Sequence, residues 1–206
     1  MLAGVFGKKI GMTQMFDTNG SIITVTLVQI FHCQISQIKS IETDGYNAIQ
    51  LAYSEKESGE INKPLAGHLK KSGNRVFQKF GEFTVSDPEI YKLEDSFAVD
   101  QFTVGQRVKV TGKSIGKGFT GNQKRHNFSR GPMTHGSKNH RLPGSIGAGS
   151  TPGRVYPGKK MAGHLGHKKI TTKSEIFFVN QDENILALKG SVPGPKGGEL
   201  KILVFP

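Results

Sequence analysis

The chain has 206 residues and carries 28 Lys and Arg against 16 Asp and Glu, which gives a formal net charge of +12. This length allows one large domain or two small ones with a real core, and the single cysteine, Cys33, excludes a disulfide framework and any Cys-x-x-Cys metal site. The longest mostly apolar run, residues 22–31, is too short and too polar to span a bilayer, and the first residues show no signal-peptide pattern. We therefore expect no membrane association and no removable presequence.

The first quarter of the chain predicts strands and tight turns. Candidate strands cover residues 22–31, 34–41 and 48–53, and the last of them alternates apolar side chains with the period of a half-buried strand. Residues 55–100 differ, because they mix charges of both signs with glycines and contain a possible short helix opened at Pro88. We interpret residues 55–100 as a small, helix-containing surface insertion.

The strand pattern returns in the second half of the chain. Further strands are predicted at residues 104–112, 175–180, 185–189 and 200–205. Short strands at hairpin spacing near both chain ends favour a mostly β fold, a small antiparallel barrel closed by N-terminal and C-terminal strands. The barrel so predicted comprises residues 1–54, 101–112 and 170–206.

The basic charge is concentrated in the middle of the chain. The 74 residues between Asp100 and Glu175 contain 15 Lys and Arg and no Asp or Glu, whereas the rest of the chain has 13 basic and 16 acidic residues. Within this stretch, residues 113–169 hold 12 Lys and Arg, five His, 12 Gly and only ten large apolar side chains, too few to form a core alone. We predict that residues 113–169 form a long irregular arm that another molecule supports.

The composition of residues 113–169 suits a polyanion, and nucleic acid is the obvious one. Gly-Pro and Pro-Gly pairs provide bends, and no helix is long enough to enter a DNA major groove, so the pattern favours folded RNA. Phe119, Phe128, Tyr156 and the histidines are candidates for stacking on bases, although Phe119 and Phe128 would serve equally well to anchor the arm to the barrel. A merely solvated loop is the alternative for a short run of such residues.

Three other chemistries have weaker support in the sequence. Residues 111–114, Thr-Gly-Lys-Ser, imitate the end of a phosphate-binding P-loop, but that loop needs Gly at position 107, which is Arg107. The five histidines of residues 113–169 have no Cys or carboxylate among them to complete a metal site. Cys33 lies in a strand-rich apolar stretch, where a buried thiol is more usual than a nucleophile. We expect no enzyme activity, metal, cofactor or small-molecule substrate.

Long blocks of the sequence resemble one known family. They are FGKKIGMTQ (residues 6–14), DGYNAIQ (44–50), GKGF (116–119), KRHNF (124–128), THGS (134–137), HRLPGSIG (140–147), TPGRV (151–155) and GKKMAG (158–163). In this order, and over essentially the whole chain, they resemble the universal L-three family of large-subunit ribosomal proteins.

The resemblance implies a translation-protein-type β-barrel with a long extension that binds 23S-type ribosomal RNA and approaches the peptidyl transferase centre. It also implies an early role in subunit assembly, neighbouring large-subunit proteins as partners, and no catalysis. The alternative is a free basic RNA-binding protein, an enzyme or an RNA chaperone that never joins a ribosome. A free enzyme would be expected to place a carboxylate or a bound metal among the basic residues, and residues 113–169 show neither pattern.

The resemblance also nominates site residues. The candidate RNA-binding residues are Lys117, Lys124, Arg125, His126, Arg130, His135, Lys138, His140, Arg141, Arg154, Lys159, Lys160, Lys168 and Lys169. The tip implied to lie near the peptidyl transferase centre spans residues 144–154, with Gly144, Ser145, Gly147, Gly149, Ser150, Thr151 and Gly153 as its site residues. Some bacterial members have a methylated Gln directly before the Thr-Pro-Gly of the tip; Ser150 stands there in this chain, so we expect that modification to be absent.

The sequences of residues 123–128 and 131–133 resemble the cyanobacterial and plastid branch of the family. The usage of Asn, Lys, Ile and Phe, with no Trp, resembles products of an AT-rich plastid genome. With no transit sequence, we expect a protein made inside the plastid and placed in its ribosome. A bacterial cytoplasmic ribosome is the alternative.

Overall fold

The fold is described from a computed structural model, in residues 4–56, 62–73 and 75–204. The chain divides into two compact units. The body unit comprises Met1–Lys113 and Lys169–Pro206, and the arm unit is Ser114–Lys168. The chain leaves the body unit for the arm unit after Lys113 and returns to it at Lys169.

Strands dominate the secondary structure. In chain order the strands and α-helices are β1 (Gly4–Phe16), β2 (Ile22–Ile30), β3 (Cys33–Lys39), α1 (Ile41–Asp44), β4 (Ala48–Glu55), α2 (Lys63–Leu69), β5 (Phe77–Thr84), β6 (Ser96–Phe97), β7 (Arg107–Lys113), β8 (Phe119–Thr120), α3 (Asn122–His126), β9 (Gly163–His164), β10 (Lys169–Asn180), β11 (Ile185–Lys189) and β12 (Glu199–Val204). Short 3-10 helices lie at Lys70–Ser72, Pro88–Ile90 and Val99–Gln101. No helix among the described residues is long and apolar enough to cross a membrane.

Six strands close into an antiparallel barrel in the order β1-β12-β7-β10-β11-β2. The predicted mostly β fold with an antiparallel barrel is therefore confirmed. Strand β7 shows why the sequence forms it: Val108 and Val110 are fully buried, whereas Arg107 at its start is exposed. Strict alternation of this kind gives a strand one apolar and one polar face. The apolar face of β7 contributes to the core of the body unit.

Four further strands form a second sheet in the order β5-β4-β3-β6. This differs from the predicted domain boundaries, which placed residues 33–54 in the barrel and residues 55–100 in a surface insertion. Strand β5 from the supposed insertion pairs with β4, and its Phe77 and Phe83 are buried. Because residues 55–100 are rich in charges and glycines, the sequence pattern did not indicate that these two phenylalanines belong to a buried strand. The predicted helix at Pro88 is a single 3-10 turn, Pro88–Ile90.

The barrel and the second sheet share one apolar core within the body unit. The Phe6 ring of β1 stacks on the Tyr53 ring of β4 with centroids 4.3 Å apart, and it also contacts Phe83 at 5.1 Å. Burying one aromatic side chain of this size contributes about 1.5–3 kcal/mol. Because these rings come from both sheets, the two sheets stabilise each other.

Candidate nucleic-acid interface

The arm unit begins as an antiparallel ribbon of two chain segments. The Ser114 amide donates to the Lys168 carbonyl at 2.9 Å, and the Lys117 amide donates to the Leu165 carbonyl at 2.9 Å. The ribbon continues in β8 and β9, where Phe119 lies opposite His164. The irregular extension predicted from the sequence therefore contains a short paired segment, held by backbone hydrogen bonds rather than by an apolar core.

Helix α3 fixes the end of this ribbon. The guanidinium of Arg125 donates to the Met161 carbonyl at 2.7 Å, and Nε2 of His126 donates to the same carbonyl at 3.0 Å. Gly163 allows the approach, since a Cβ at that position would lie 3.1 Å from Cζ of Arg125. Arg125 and His126, both predicted to bind RNA, thus act within the arm unit as ties between its two segments.

A second tie lies farther along the segment. The Gly131 amide donates to the His140 carbonyl at 3.0 Å, and Nδ1 of His140 donates to the Pro132 carbonyl at 2.9 Å. The imidazole must carry its proton on Nδ1 to make this bond, because a carbonyl oxygen only accepts. His140 therefore stabilises the chain reversal between residues 131 and 140. Its side chain is half-exposed.

The predicted tip is a compact, solvent-exposed turn. Its seven candidate residues are all exposed. The Ser145 hydroxyl donates to the Gly147 carbonyl at 3.2 Å, and the Gly153 amide donates to the Gly149 carbonyl at 3.2 Å. Gly144 has φ +75°, a left-handed conformation that favours glycine. The tip thus owes its shape to small residues and local hydrogen bonds.

Most of the predicted RNA-binding residues point to solvent. The exposed members are Lys117, Lys124, Arg130, His135, Lys138, Arg141, Arg154, Lys159, Lys160, Lys168 and Lys169. None of them forms an ion pair with another described residue. The arm unit itself has ten Lys and Arg and no Asp or Glu. Its exposed cations are therefore accessible to an external anion.

Large apolar side chains are exposed among these cations. The exposed fraction is 71% for Phe119, 64% for Leu142 and 60% for Tyr156. The Arg154 guanidinium lies over the Tyr156 ring, 5.8 Å from its centroid. The rings of Phe119 and His164 form a T-shaped pair with centroids 6.0 Å apart, and the exposed Phe119 is available for stacking. Phe128 is half-buried beside His126. Cations interleaved with exposed rings are typical of a surface for folded RNA.

Two polar residues of α3 were not singled out by the sequence. Oδ1 of Asn122 and Nε2 of Gln123 are buried and have no hydrogen-bond partner among the described residues. Buried polar atoms usually have partners, so the arm unit does not satisfy all of its own buried groups. No sequence signal identified them, because amides within a basic, glycine-rich stretch look solvent-exposed.

The structure also bears on the other chemistries considered. The apparent P-loop residues 111–113 lie in strand β7, not in a phosphate-cradling loop. Within the described residues, no group of three His, Cys, Asp or Glu side chains is placed to hold a metal ion. Cys33 is fully buried, and this burial raises the pKa of its thiol to about 11. A thiol that stays protonated at neutral pH is a poor nucleophile.

A β-barrel body joined to a carboxylate-free, cationic unit with exposed rings is typical of one class of protein, the structural proteins of ribonucleoproteins. Comparison with known families specifies which one. The chain belongs to the ribosomal protein L3 family, whose sequence pattern matches residues 82–187.

The relatives agree along almost the whole chain. Large ribosomal subunit protein uL3c of Emiliania huxleyi is 66% identical over 203 residues, which cover 98% of this chain and 98% of that protein. The uL3c of Porphyra purpurea is 54% identical, over an alignment that covers 98% of this chain and 99% of that protein. The uL3 of Prochlorococcus marinus (strain NATL1A) is 53% identical, with 98% and 93% covered. The predicted resemblance to the plastid and cyanobacterial type is confirmed.

Proposed function

We propose that this chain is a structural constituent of the large ribosomal subunit and that its arm unit binds 23S-type ribosomal RNA. One observation carries the RNA assignment: ten Lys and Arg, no carboxylate, and cationic side chains exposed without ion pairs to described residues. Carboxylates between phosphates would meet like charge, so their absence over the whole unit favours a polyanionic partner. Membership of the ribosomal protein L3 family supports a ribosomal RNA as that partner.

The residues of the arm unit divide into two roles in this proposal. Arg125, His126 and His140 hold the backbone through hydrogen bonds to carbonyls, which presets the shape of the unit. Exposed cations such as Lys159 and Lys160 contact phosphates. A preset shape lowers the entropy lost on binding, so the first group supports the second.

The tip, residues 144–154, approaches the peptidyl transferase centre in this proposal. Its exposed glycines let RNA come close to the backbone, and Arg154 beside the Tyr156 ring offers charge and a stacking plane. The tip has no acid, so it positions RNA and performs no chemistry itself. Binding of this kind early in assembly would order the RNA around the arm unit.

The ribosome that we propose is that of the plastid. The support is the high identity to the uL3c proteins of Emiliania huxleyi and Porphyra purpurea. The bacterial cytoplasm is the alternative, because the sequence identity to the Prochlorococcus protein, 53%, is close to the 54% identity to the Porphyra protein.

Charge reversal in the arm unit tests the RNA assignment. We expect Lys159→Glu with Lys160→Glu to weaken binding to large-subunit RNA by at least about tenfold at moderate salt and to impair large-subunit assembly, because two phosphate contacts become repulsive. The matched control is Lys70→Glu with Lys71→Glu, two adjacent exposed lysines of the body unit. Both double variants should keep the Tm of the parent.

Two results would count against the proposal. Subunit profiles that stay unchanged with the Lys159 and Lys160 variant would remove the arm unit as an RNA contact. Tight RNA binding by the parent chain without incorporation into subunits would favour a free RNA-binding protein or chaperone.

A further inference from the structure

The outer face of the barrel carries a second set of cations, on strands β7, β10 and β12. Strand β7 lies between the other two. Lys113 of β7 lies opposite Lys169 of β10. Two residues farther along each strand, Thr111 lies opposite Thr171. Lys201 of β12 faces Thr111 from the other side. Lys109 and Lys173 form a further lysine pair in the same register.

Directly opposed like charges destabilise an antiparallel pair, since the facing Cβ atoms are only about 4.5–5.5 Å apart. Lys113 and Lys169 are both exposed, and neither forms an ion pair with another described residue. Opposite charge at one of the two positions would favour the free body unit. The sequence instead keeps two cations where the sheet alone would gain from one.

A shallow cavity of about 340 Å³ lies beside this lysine pair, and Lys113, Lys169 and Lys201 line it. Lys201 is half-buried, donates to the Glu82 carbonyl and lies over the Phe83 ring at 4.1 Å from its centroid. Burial lowers the pKa of Lys201, and the nearby charge of Lys169 lowers it further. Lys201 thus adds a third lysine to the cavity that Lys113 and Lys169 line.

Among the described residues that line this cavity, the one carboxylate is already engaged. Glu199 pairs with Lys79 and accepts a hydrogen bond from the Tyr53 hydroxyl at 3.4 Å. The Thr111 hydroxyl also lines the cavity and lies 2.8 Å from the Thr171 hydroxyl, so one of the two donates to the other and one O–H remains for an anion. The cavity thus combines three lysines and a threonine hydroxyl with little available negative charge.

We infer that this outer face of β7, β10 and β12 binds a run of RNA backbone phosphates, as a second contact separate from the arm unit. The inference rests on the proposed function, because it assigns an additional site to the same RNA-binding protein. The chain itself favours RNA over an acidic protein segment, since Lys169 directly follows Lys168, which ends the arm unit and is itself a proposed RNA contact.

The side chains of this face favour contacts with phosphates over contacts with bases. The rings that line the cavity, Phe6 and Tyr53, are buried and stacked on each other. They are not available to bases, so lysines and threonine hydroxyls provide the contact. Binding here is expected to depend on salt and not on RNA sequence.

The full-length double variant Lys113→Gln with Lys169→Gln tests the inference. Its matched control is Lys70→Gln with Lys71→Gln, which removes the same charge from another part of the body unit. Affinity for large-subunit RNA is measured from low to high salt. We expect the slope of log K against log[salt] to become shallower by about 1.4–1.8 units for the test variant and to stay unchanged for the control.

The Tm of the free protein provides an opposing readout. Relief of the repulsion should raise the Tm of Lys113→Gln with Lys169→Gln by about 1–3 °C, so weaker RNA binding could not be attributed to unfolding. An unchanged salt slope with normal binding by the parent would overturn this inference while the proposed function stands. Reduced subunit incorporation with unchanged RNA affinity would also overturn it, in favour of an acidic protein partner. No RNA binding by the parent would instead overturn the proposed function.

Discussion

The body unit and the arm unit acquire their structure in different ways. The body unit has 18 Lys and Arg against 16 Asp and Glu, buries its apolar side chains and pairs charges such as Lys39 with Glu82 at 2.7 Å. The arm unit has ten Lys and Arg and no acid, and exposes rings such as Phe119 and Tyr156. The comparison indicates that the body unit is stabilised by its own core. In the arm unit, hydrogen bonds fix the backbone, while many side chains remain exposed and accessible to a binding partner.

The largest effect on stability is expected where the body unit is most tightly packed. A Cβ at Gly81 of β5 would overlap the Phe6 ring, with 2.9 Å to each of its Cε atoms, and Phe6 is held by its stack on Tyr53. We expect Gly81→Ala to lower the free energy of unfolding by about 2–3 kcal/mol through overpacking. Denaturant unfolding measures it.

Gly11→Ala on β1 is the matched control, because a Cβ at Gly11 meets nothing within 4 Å. This variant should change the free energy of unfolding by less than about 0.5 kcal/mol. Equal losses for the two variants would mean that the contact between β5 and Phe6 does not hold the two sheets of the body unit together.

A smaller effect is expected in the arm unit, and it separates positioning from contact. Arg125→Gln removes the hydrogen bond to the Met161 carbonyl, worth about 1 kcal/mol, and should speed amide exchange in β8 and β9 as well as weaken RNA binding. Arg130→Gln is the comparison, because Arg130 is exposed and forms no ion pair with a described residue. It should weaken RNA binding and leave amide exchange as it is.

Exchange rates in β8 and β9 that are the same in both variants would contradict the positioning role of Arg125. Slower RNA association without any change in exchange would place Arg125 among the contact residues with Arg130.

Much of the body unit could be predicted from apolar alternation. The strand predicted at 185–189 has the observed bounds, and those at 22–31, 48–53 and 200–205 lie within two residues of β2, β4 and β12. Strand β10 begins at Lys169, well before the predicted 175, because its first half has a single large apolar side chain, the exposed Ile170, and so no apolar alternation to detect.

The sheet that contains β5 could not be predicted in the same way. Its first anchor, Phe77, lies in a stretch of mixed charge, and its close packing against β1 requires a glycine that reads as a loop signal, Gly81. A residue that permits a tight contact looks in sequence like one that breaks a strand. Because of this ambiguity, the sequence prediction placed a domain boundary at residue 55, between two strands that pair in the structure.

The bounds of the charged segment could be predicted from the sequence, whereas the structural roles of its residues could not, and RNA binding by these residues stays a prediction. Charge alone delimited residues 113–169, within one residue at each end of the arm unit. Sequence gave no means to separate Arg125, His126 and His140, which bind carbonyls, from exposed cations such as Lys124. The distinction depends on which carbonyl lies within reach, and that is a property of the fold.

Deletion of the arm unit tests most directly the claim that this unit is the RNA anchor. Lys113 and Lys169 are cross-strand partners in β7 and β10, so Asn-Gly can replace residues 114–168 as a two-residue hairpin turn. The intact chain and the deletion variant are sedimented with large ribosomal subunits through a high-salt wash, and the Tm of each is recorded. We expect the intact chain to stay with the subunit and the folded variant to be lost. If both wash off alike, or if the folded variant stays as firmly as the intact chain, the arm unit is not the anchor.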